Sequence, residues 1–205
     1  MEPSDWDARY AGQELVWSAE PNRFVEEVCS SLPPGRALDL AAGEGRNAIW
    51  LAGLGWEVTA VDFSGVALEK GRRLAEHQGE KPARAVTWTQ ADVRTWAPPA
   101  ADFDLVIISY LHLPAGERRQ VLAHAVSGLA PGGLLLVVGH DIANLSGGVG
   151  GPQDPSVLYG PGDVVADLAP LVEVAVERAA TVERPTPSGT ALDVLVTARR
   201  VPAGR

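Results

Sequence analysis

The first residues with chemistry in them form one short run, Asp39-Leu-Ala-Ala-Gly43-Glu-Gly45-Arg46. Gly43-x-Gly45-x-x-Ala48 is a spacing that lets backbone amides approach a ligand closely where a strand turns into a helix. Taken alone it fits a dinucleotide site, whose amides hold a pyrophosphate. Asp62 ends the next apolar run, where a carboxylate can accept both hydroxyls of a ribose; NAD and simpler nucleosides share that requirement. Two other acids separate the readings. Asp39 stands just before the glycines, where it would repel a pyrophosphate and attract a cationic amino group. Asp92, in Ala91-Asp92-Val93, closes the third apolar run and is placed to accept from an adenine amino group. A cationic amino acid joined to a nucleoside satisfies all of these, and S-adenosylmethionine (SAM) is such a molecule. Ala41, Phe63 and Val93 are the cofactor-lining neighbours of the three acids, and Arg46, in the first helical turn, either binds the SAM carboxylate or faces solvent.

A second group follows two later apolar runs. His140 and Asp141 end one of them, and Ser109-Tyr110-Leu111-His112 ends the other. His140 is the leading candidate for a general base, with Asp141 beside it to orient or charge the ring. His112 is the second candidate, although Leu113-Pro114 after it also suits a residue entering a helix. Ser109 is expected to line the adenosine, and Tyr110 either packs on it or faces the acceptor. Tyr159 ends a glycine-rich stretch and either offers a phenol and an aromatic face to a sugar or anchors that stretch to the core. Glu14 supplies a further carboxylate to the acceptor, or joins His140 and Asp141 around a divalent cation such as Mg2+. Methyl transfer from a sulfonium is an in-line displacement in which holding the reactants together supplies up to about 7–11 kcal/mol. A base adds roughly 10² to 10⁴-fold, which matters for a hydroxyl and little for a thiolate.

The elements that must carry these groups alternate. Short apolar runs at Ala37 to Leu40, Trp56 to Val61, Val86 to Gln90, Phe103 to Ser109 and Leu134 to Gly139 read as buried parallel strands. Helical patterns run from Arg46 to Ala52, from a Ser64 cap to about His77, and from Glu117 to Leu129. The expected fold is therefore a doubly wound α/β domain, with ligands at the carboxyl ends of the strands. Past Asp141, Ser146-Gly-Gly-Val-Gly-Gly-Pro-Gln-Asp-Pro155 is too glycine-rich for an element interior and reads as a functional loop. Val172 to Ala179 and Ala191 to Ala198, around the turn-forming Pro185 to Gly189, suit an antiparallel hairpin.

With Leu129-Ala-Pro-Gly-Gly133 before the fifth strand and that hairpin after it, the chain resembles the class I SAM-dependent methyltransferases over about Trp6 to Arg200. Within them, Trp6-Asp7-x-x-Tyr10, Trp17, Glu20-Pro21-Asn22, the loop from Asp39 to Ala48 and Gly139-His-Asp141 are similar to the tellurite-resistance and thiopurine methyltransferase-like branch. The resemblance implies a Rossmann-like seven-stranded sheet whose last strand is antiparallel. It also implies an N-terminal flap that brings Trp17 over the cofactor, and a small-molecule acceptor. Some actinobacterial members methylate sugar hydroxyls in methylmannose polysaccharide synthesis. The implied layout of residues 1–205 is one domain: an N-terminal helical flap over 1–32, a SAM-binding core over 36–141, a substrate loop over 142–163 and a hairpin region over 164–200.

Composition narrows the classes. The 205 residues are 46% hydrophobic with a net charge of −9, which suits a globular chain and opposes a large nucleic-acid footprint. A lone cysteine, Cys29, allows neither an internal disulfide nor a cysteine-based zinc site. The acidic N-terminus and the shortness of every apolar run point to a soluble, cytoplasmic protein, with a homodimer among its oligomeric alternatives. The expected function is O-methylation of a small molecule. The competing classes are an S-, Se- or Te-directed detoxifying methyltransferase, an NAD-dependent oxidoreductase and a non-catalytic SAM sensor.

Overall fold

The computed structural model describes residues 3–12, 15–16 and 18–201. The chain divides into two compact units, Met1–Trp96 and Ala97–Arg205, a division that falls inside the 36–141 stretch. The strands order as β3-β2-β1-β4-β5-β7-β6 in one seven-stranded sheet, with β7 antiparallel to its neighbours.

The first unit contains α1 (Pro3–Tyr10), α2 (Arg23–Cys29), β1 (Arg36–Leu40), α3 (Arg46–Leu54), β2 (Glu57–Asp62), α4 (Gly65–Gln78), α5 (Glu80–Ala85) and β3 (Val86–Gln90). β1, β2 and β3 are parallel, and Ala37, Leu38, Ala60 and Val61 are sealed from solvent, as strands covered on both faces require. Caps fix the helix starts: Asn22 Oδ1 accepts from the amides of Phe24 and Val25, and Ser64 Oγ accepts from Ala67. Gly55, at φ 104, ends α3 in the left-handed region. The short helix α5 carries no apolar periodicity. Its Pro82 sits in the first turn, where a backbone N–H has no intrahelical partner to lose.

One packing contact locks the glycine loop to α4. The half-buried Trp88 indole of β3 lies against both Gly45 and Gly71, and a Cβ at either would overlap the ring.

The second unit contains β4 (Phe103–Ser109), α6 (Ala115–Gly128), β5 (Leu129–His140), α7 (Asn144–Gly147), a single 3-10 turn (Pro155–Val157), α8 (Pro161–Leu168), β6 (Val174–Thr186) and β7 (Gly189–Arg200). β5 begins earlier than the apolar run suggests. Its register against β4 jumps from Phe103↔Leu129 to Leu105↔Leu134, so the Pro-Gly-Gly segment bulges within the strand, with Gly132 at φ 83. The hairpin strands are longer than expected, because pairing continues through Pro185↔Thr190 to a tight turn at Thr186↔Gly189. The glycine-rich loop is partly ordered by α7. There Asn144 bonds the backbone of Leu192 on both sides, Nδ2 donating at 2.7 Å and Oδ1 accepting at 2.8 Å. No helix among the described residues is long and apolar enough to cross a membrane.

The Trp88 contact sets a test of packing against propensity. Gly71→Ala gains about 1 kcal/mol of helix propensity, but overpacking costs about 1–3 kcal/mol. With the Glu44 carbonyl also 2.9 Å from the new Cβ, the expected result is a lower thermal midpoint. Trp88→Ala in the Gly71→Ala background should reduce the cost of the alanine at 71 without abolishing it, because the contact with the Glu44 carbonyl remains.

Candidate functional site

In the first unit Asp39, Asp62 and Asp92 lie at or just past the carboxyl ends of parallel strands. Asp39, near the end of β1, is 1% exposed, and among the described residues neither of its carboxylate oxygens has a hydrogen-bond partner. Burial pushes its pKa up to about 7, against a pull from the Arg46 guanidinium; the Asp62 charge adds to the rise. The Ala48 amide pulls weakly downward without reaching hydrogen-bond geometry. A buried carboxylate without donors is costly unless a cation meets it, and an ammonium group is such a partner.

Asp62 is in the opposite condition. Its Oδ2 accepts from the Gly43 amide and its Oδ1 from the Ser64 amide, each at 2.9 Å, so it binds the glycine loop to the start of α4. Burial raises its carboxyl pKa and these amides work against the rise. A carboxylate has about four lone-pair positions, which leaves acceptor capacity for ribose hydroxyls. Gly43 (φ 57) and Gly45 (φ 74) are left-handed, and so is Ala41 (φ 58), although it is no glycine. That conformation costs about 1–3 kcal/mol at a non-glycine residue, and the strand end and the glycine turn hold it in place.

Asp92 differs from its expected use. Arg94 covers both of its oxygens, Nε at 3.0 Å from each and a terminal nitrogen 2.7 Å from Oδ2, and this holds its carboxyl below the ordinary range. An adenine amino group would share an acceptor already engaged by a cation. Val93 is buried, and Phe63 is half-buried with its carbonyl accepting from Gln90 Nε2 at 3.1 Å.

Polar contacts fasten the N-terminal segment to this cradle. The Val16 amide donates to the buried Glu44 carboxylate at 2.9 Å, Lys70 Nζ meets the same carboxylate at 2.8 Å, and the Asn22 amide donates to Asn47 Oδ1 at 2.9 Å. Asp7 of α1 accepts from the Ser64 hydroxyl. Glu44 is thus a loop residue with a structural task that the glycine spacing did not reveal. Trp17 and Glu14, the expected flap indole and acceptor carboxylate, lie outside the described residues.

In the second unit the ends of β4 and β5 bring Tyr110, His112 and His140 together. The His140 ring centroid is 4.9 Å from Tyr110 and 5.4 Å from His112, stacked on the latter at 18°. Tyr110 is left-handed at φ 57, a second strained position directly after a strand. The carboxylate serving His140 is Asp193 and not Asp141: His140 Nδ1 lies 3.2 Å from Asp193 Oδ1, the two residues being register partners of β5 and β7. Successive strand residues point to opposite faces, so Asp141 turns away. Its oxygens accept from Thr181 Oγ1 at 2.6 Å and from the Ala143 amide at 2.9 Å.

His112, the second candidate base, is held by the backbone of the next strand end. Its Nε2 accepts from the His140 backbone N–H at 3.1 Å, and burial, with the His140 charge, pushes its pKa down to about 4. Its lone pair is engaged by the backbone. Of the two readings of Tyr159, its contacts are those of an anchor: it is 1% exposed, its hydroxyl donates to the Leu111 carbonyl at 3.3 Å, and Arg118 covers its ring. It anchors the loop. The Ser109 hydroxyl, at the end of β4, is buried without a partner among the described residues. Among the described residues no cluster of three or more His, Cys, Asp or Glu side chains suits a metal ion, and His140 and Asp141 serve different partners.

The functional candidates that spacing missed are Asp193 and Arg184. Asp193 is fully buried and receives Arg184 Nε at 2.6 Å and the Tyr110 hydroxyl at 2.7 Å, both on Oδ2. One signal was available: Asp193 is the lone charge in the apolar run Ala191 to Val196.

Comparison with known proteins agrees with this geometry. Residues 37–133 match the family described as methyltransferase domain. The chain is 28% identical over 170 residues to the thiopurine S-methyltransferase of Pseudomonas putida strain KT2440, covering 72% of this chain and 76% of that protein. It is 32% identical over 126 residues to the demethylmenaquinone methyltransferase of Clavibacter sepedonicus, covering 62% of this chain and 48% of that protein. The chain spans less than half the length of several curated relatives that it matches. In fold it is similar to a Burkholderia thailandensis 1,6-didemethyltoxoflavin-N1-methyltransferase solved with S-adenosylhomocysteine, at a TM-score of 0.71 and 20% identity, over 98% of this chain and 87% of that one. Residues 37–133 are thus similar to a methyltransferase domain, and the fold is similar to that of a methyltransferase solved with S-adenosylhomocysteine.

Proposed function

We propose that the protein binds SAM through Asp39 and Asp62 and methylates a hydroxyl of a small molecule, with His140 as candidate general base. The observation that carries the reading is Asp39, a fully buried carboxylate without a hydrogen-bond donor among the described residues. It repels the pyrophosphate of NAD and suits the ammonium of SAM. Asp62 keeps acceptor capacity for the ribose. When bound, SAM supplies a methyl group already activated on a sulfonium. The residues of this chain orient it, and His140 Nε2 takes the proton of the acceptor hydroxyl. The resemblance to the tellurite and thiopurine branch implies a small-molecule acceptor, and a sugar hydroxyl is the one that some actinobacterial members methylate. The relative named for thiopurine S-methylation favours a second reading, transfer to a thiol, which needs the cradle but not the base. The lone buried Cys29 suits a reducing cytoplasm.

Asp39→Asn keeps the shape and removes the charge. Charge-assisted hydrogen bonds are worth about 1.5–3 kcal/mol, so titration calorimetry should show SAM binding weakened by about 10- to 100-fold. Unchanged SAM affinity, or tighter binding of NAD than of SAM, overturns the cradle.

The pH sign follows from the raised carboxyl of Asp39. An acid whose folded pKa exceeds its unfolded value favours the fold below the unfolded value of 3.8, and that contribution is lost as pH rises through about 7. Ligand-free Asp39→Asn should therefore unfold at a higher temperature than the parent at pH 8 and close to it at pH 4. Equal stability of the two at pH 8 contradicts the assignment.

For the base, transfer of a labelled methyl group to sugars, phenols and thiols should identify a hydroxyl acceptor. His140→Ala should lower that rate by about 10² to 10⁴-fold while SAM affinity stays within twofold. Thiol methylation with full activity in His140→Ala would establish the second reading instead.

A further inference from the structure

We infer that Asp193 is a positioning residue that fixes His140 in the tautomer with its proton on Nδ1 and its lone pair on Nε2, while Arg184 pairs with the same carboxylate. The inference rests on the reading of His140 as a base, and its test is read without cofactor or acceptor.

The tautomer follows from which groups can donate. Asp193 is ionised: burial works to raise its carboxyl pKa, and hydrogen bonds from His140, Arg184 and Tyr110 outweigh that and bring it below the ordinary range. An ionised carboxylate only accepts, so the nitrogen 3.2 Å from Oδ1 must carry the proton. The Asn144 amide lies 3.4 Å from the same nitrogen, and it cannot supply an alternative acceptor. Its oxygen is committed to the Leu192 amide and one of its N–H bonds to the Leu192 carbonyl, which fixes its orientation and leaves it no acceptor to offer Nδ1, and the carboxylate at 3.2 Å is the nearer of the two neighbours. Packing prevents the ring from turning over. His112 stacks on one side, and Gly151, left-handed at φ 80, lies so close that a Cβ there would sit 2.7 Å from Cγ and 2.8 Å from Cδ2 of His140. With Nδ1 bound, the proton-accepting lone pair lies on Nε2.

The charge balance comes from every element around the ring. β7 contributes Asp193, and β6 contributes Arg184, whose Nε lies 2.6 Å from Oδ2 and which also reaches Oδ1 at 3.5 Å. The segment after β4 contributes Tyr110, its hydroxyl bound to Asp193, and His112, whose Nε2 accepts from the His140 backbone. α7 contributes the neutral Asn144, and the adjoining Asp141 is bound to Thr181. The carboxylate facing His140 is therefore paired with a guanidinium. An unpaired carboxylate at this distance would favour the imidazolium, which has no lone pair to offer.

The experiment is long-range proton–nitrogen correlation NMR on the ligand-free, uniformly 15N-labelled full chain, in the parent, Asp193→Asn and Arg184→Gln. The parent should show His140 protonated on Nδ1 and bare on Nε2. In Asp193→Asn one acceptor oxygen remains, and Arg184 with Tyr110 claims it. The new amide then presents N–H to Nδ1, and the proton should move to Nε2. In Arg184→Gln the carboxylate loses its cation, and the midpoint of the His140 titration should rise by about one pH unit or more. The acid limb of the methyl-transfer pH profile should move by the same amount. A parent His140 protonated on Nε2, or a tautomer unchanged in a folded Asp193→Asn, overturns the inference; so does an Arg184→Gln midpoint that does not rise. If Asp193→Asn does not fold, the parent spectrum and Arg184→Gln still decide it. Full activity in His140→Ala would instead remove the base reading and leave the tautomer assignment standing.

Discussion

A carboxylate taken out of water must find donors or lose its charge, and both units are arranged around that constraint. Asp62, Asp193 and Asp39 give three different answers to it. Asp62 finds two backbone amides and becomes the pin that joins the glycine loop to α4. Asp193 finds a guanidinium, a phenol and an imidazole, and becomes the hub of the second unit's cluster. Asp39 finds none among the described residues, and its pKa climbs toward neutrality. The acid left without a donor is the one with most to gain from a cationic ligand, which is why it carries the functional reading.

Close approach is the second theme. Gly45 and Gly71 admit the Trp88 indole, Gly139 leaves room for the Tyr159 hydroxyl, and Gly151 lies flat on His140. In each case the absent side chain lets an aromatic or polar ring reach the backbone, and the ring then fixes a loop that would otherwise be loose. Ala41 and Tyr110 extend the pattern by strain: both are left-handed residues just past a strand end, held there by what surrounds them. Rigid strands ending in constrained turns make it possible to hold polar groups in fixed geometry at modest chain length.

The two histidines show how neighbouring groups of one type acquire different tasks. His112 spends its lone pair on the His140 backbone, and burial holds it neutral over the physiological range. His140 gives its Nδ1 side to a carboxylate already balanced by Arg184. Hydrogen-bond commitments, more than residue type, separate the two imidazoles.

Much of the cradle was legible because its signals are local. A strand end, a glycine pair and an acid at the next strand end lie within a few residues of one another, and backbone periodicity alone places Asp39, Gly43, Gly45 and Asp62 at the same edge of parallel strands. The alternation of apolar runs likewise determined the α/β class and the hairpin. The bulge in β5 and the helix α5 were not legible, since the first depends on strand register and the second has no apolar face. Neither was the clamp of Arg94 on Asp92, which depends on how a turn folds back on itself. The sequence by itself determined that histidine and acid stand together after β5, and that nearness in the chain pointed to Asp141. Only the tertiary structure decided that the working partner is Asp193, because adjacent strand residues face opposite ways and the antiparallel register of β5 and β7 sets a residue distant in the chain directly across from His140.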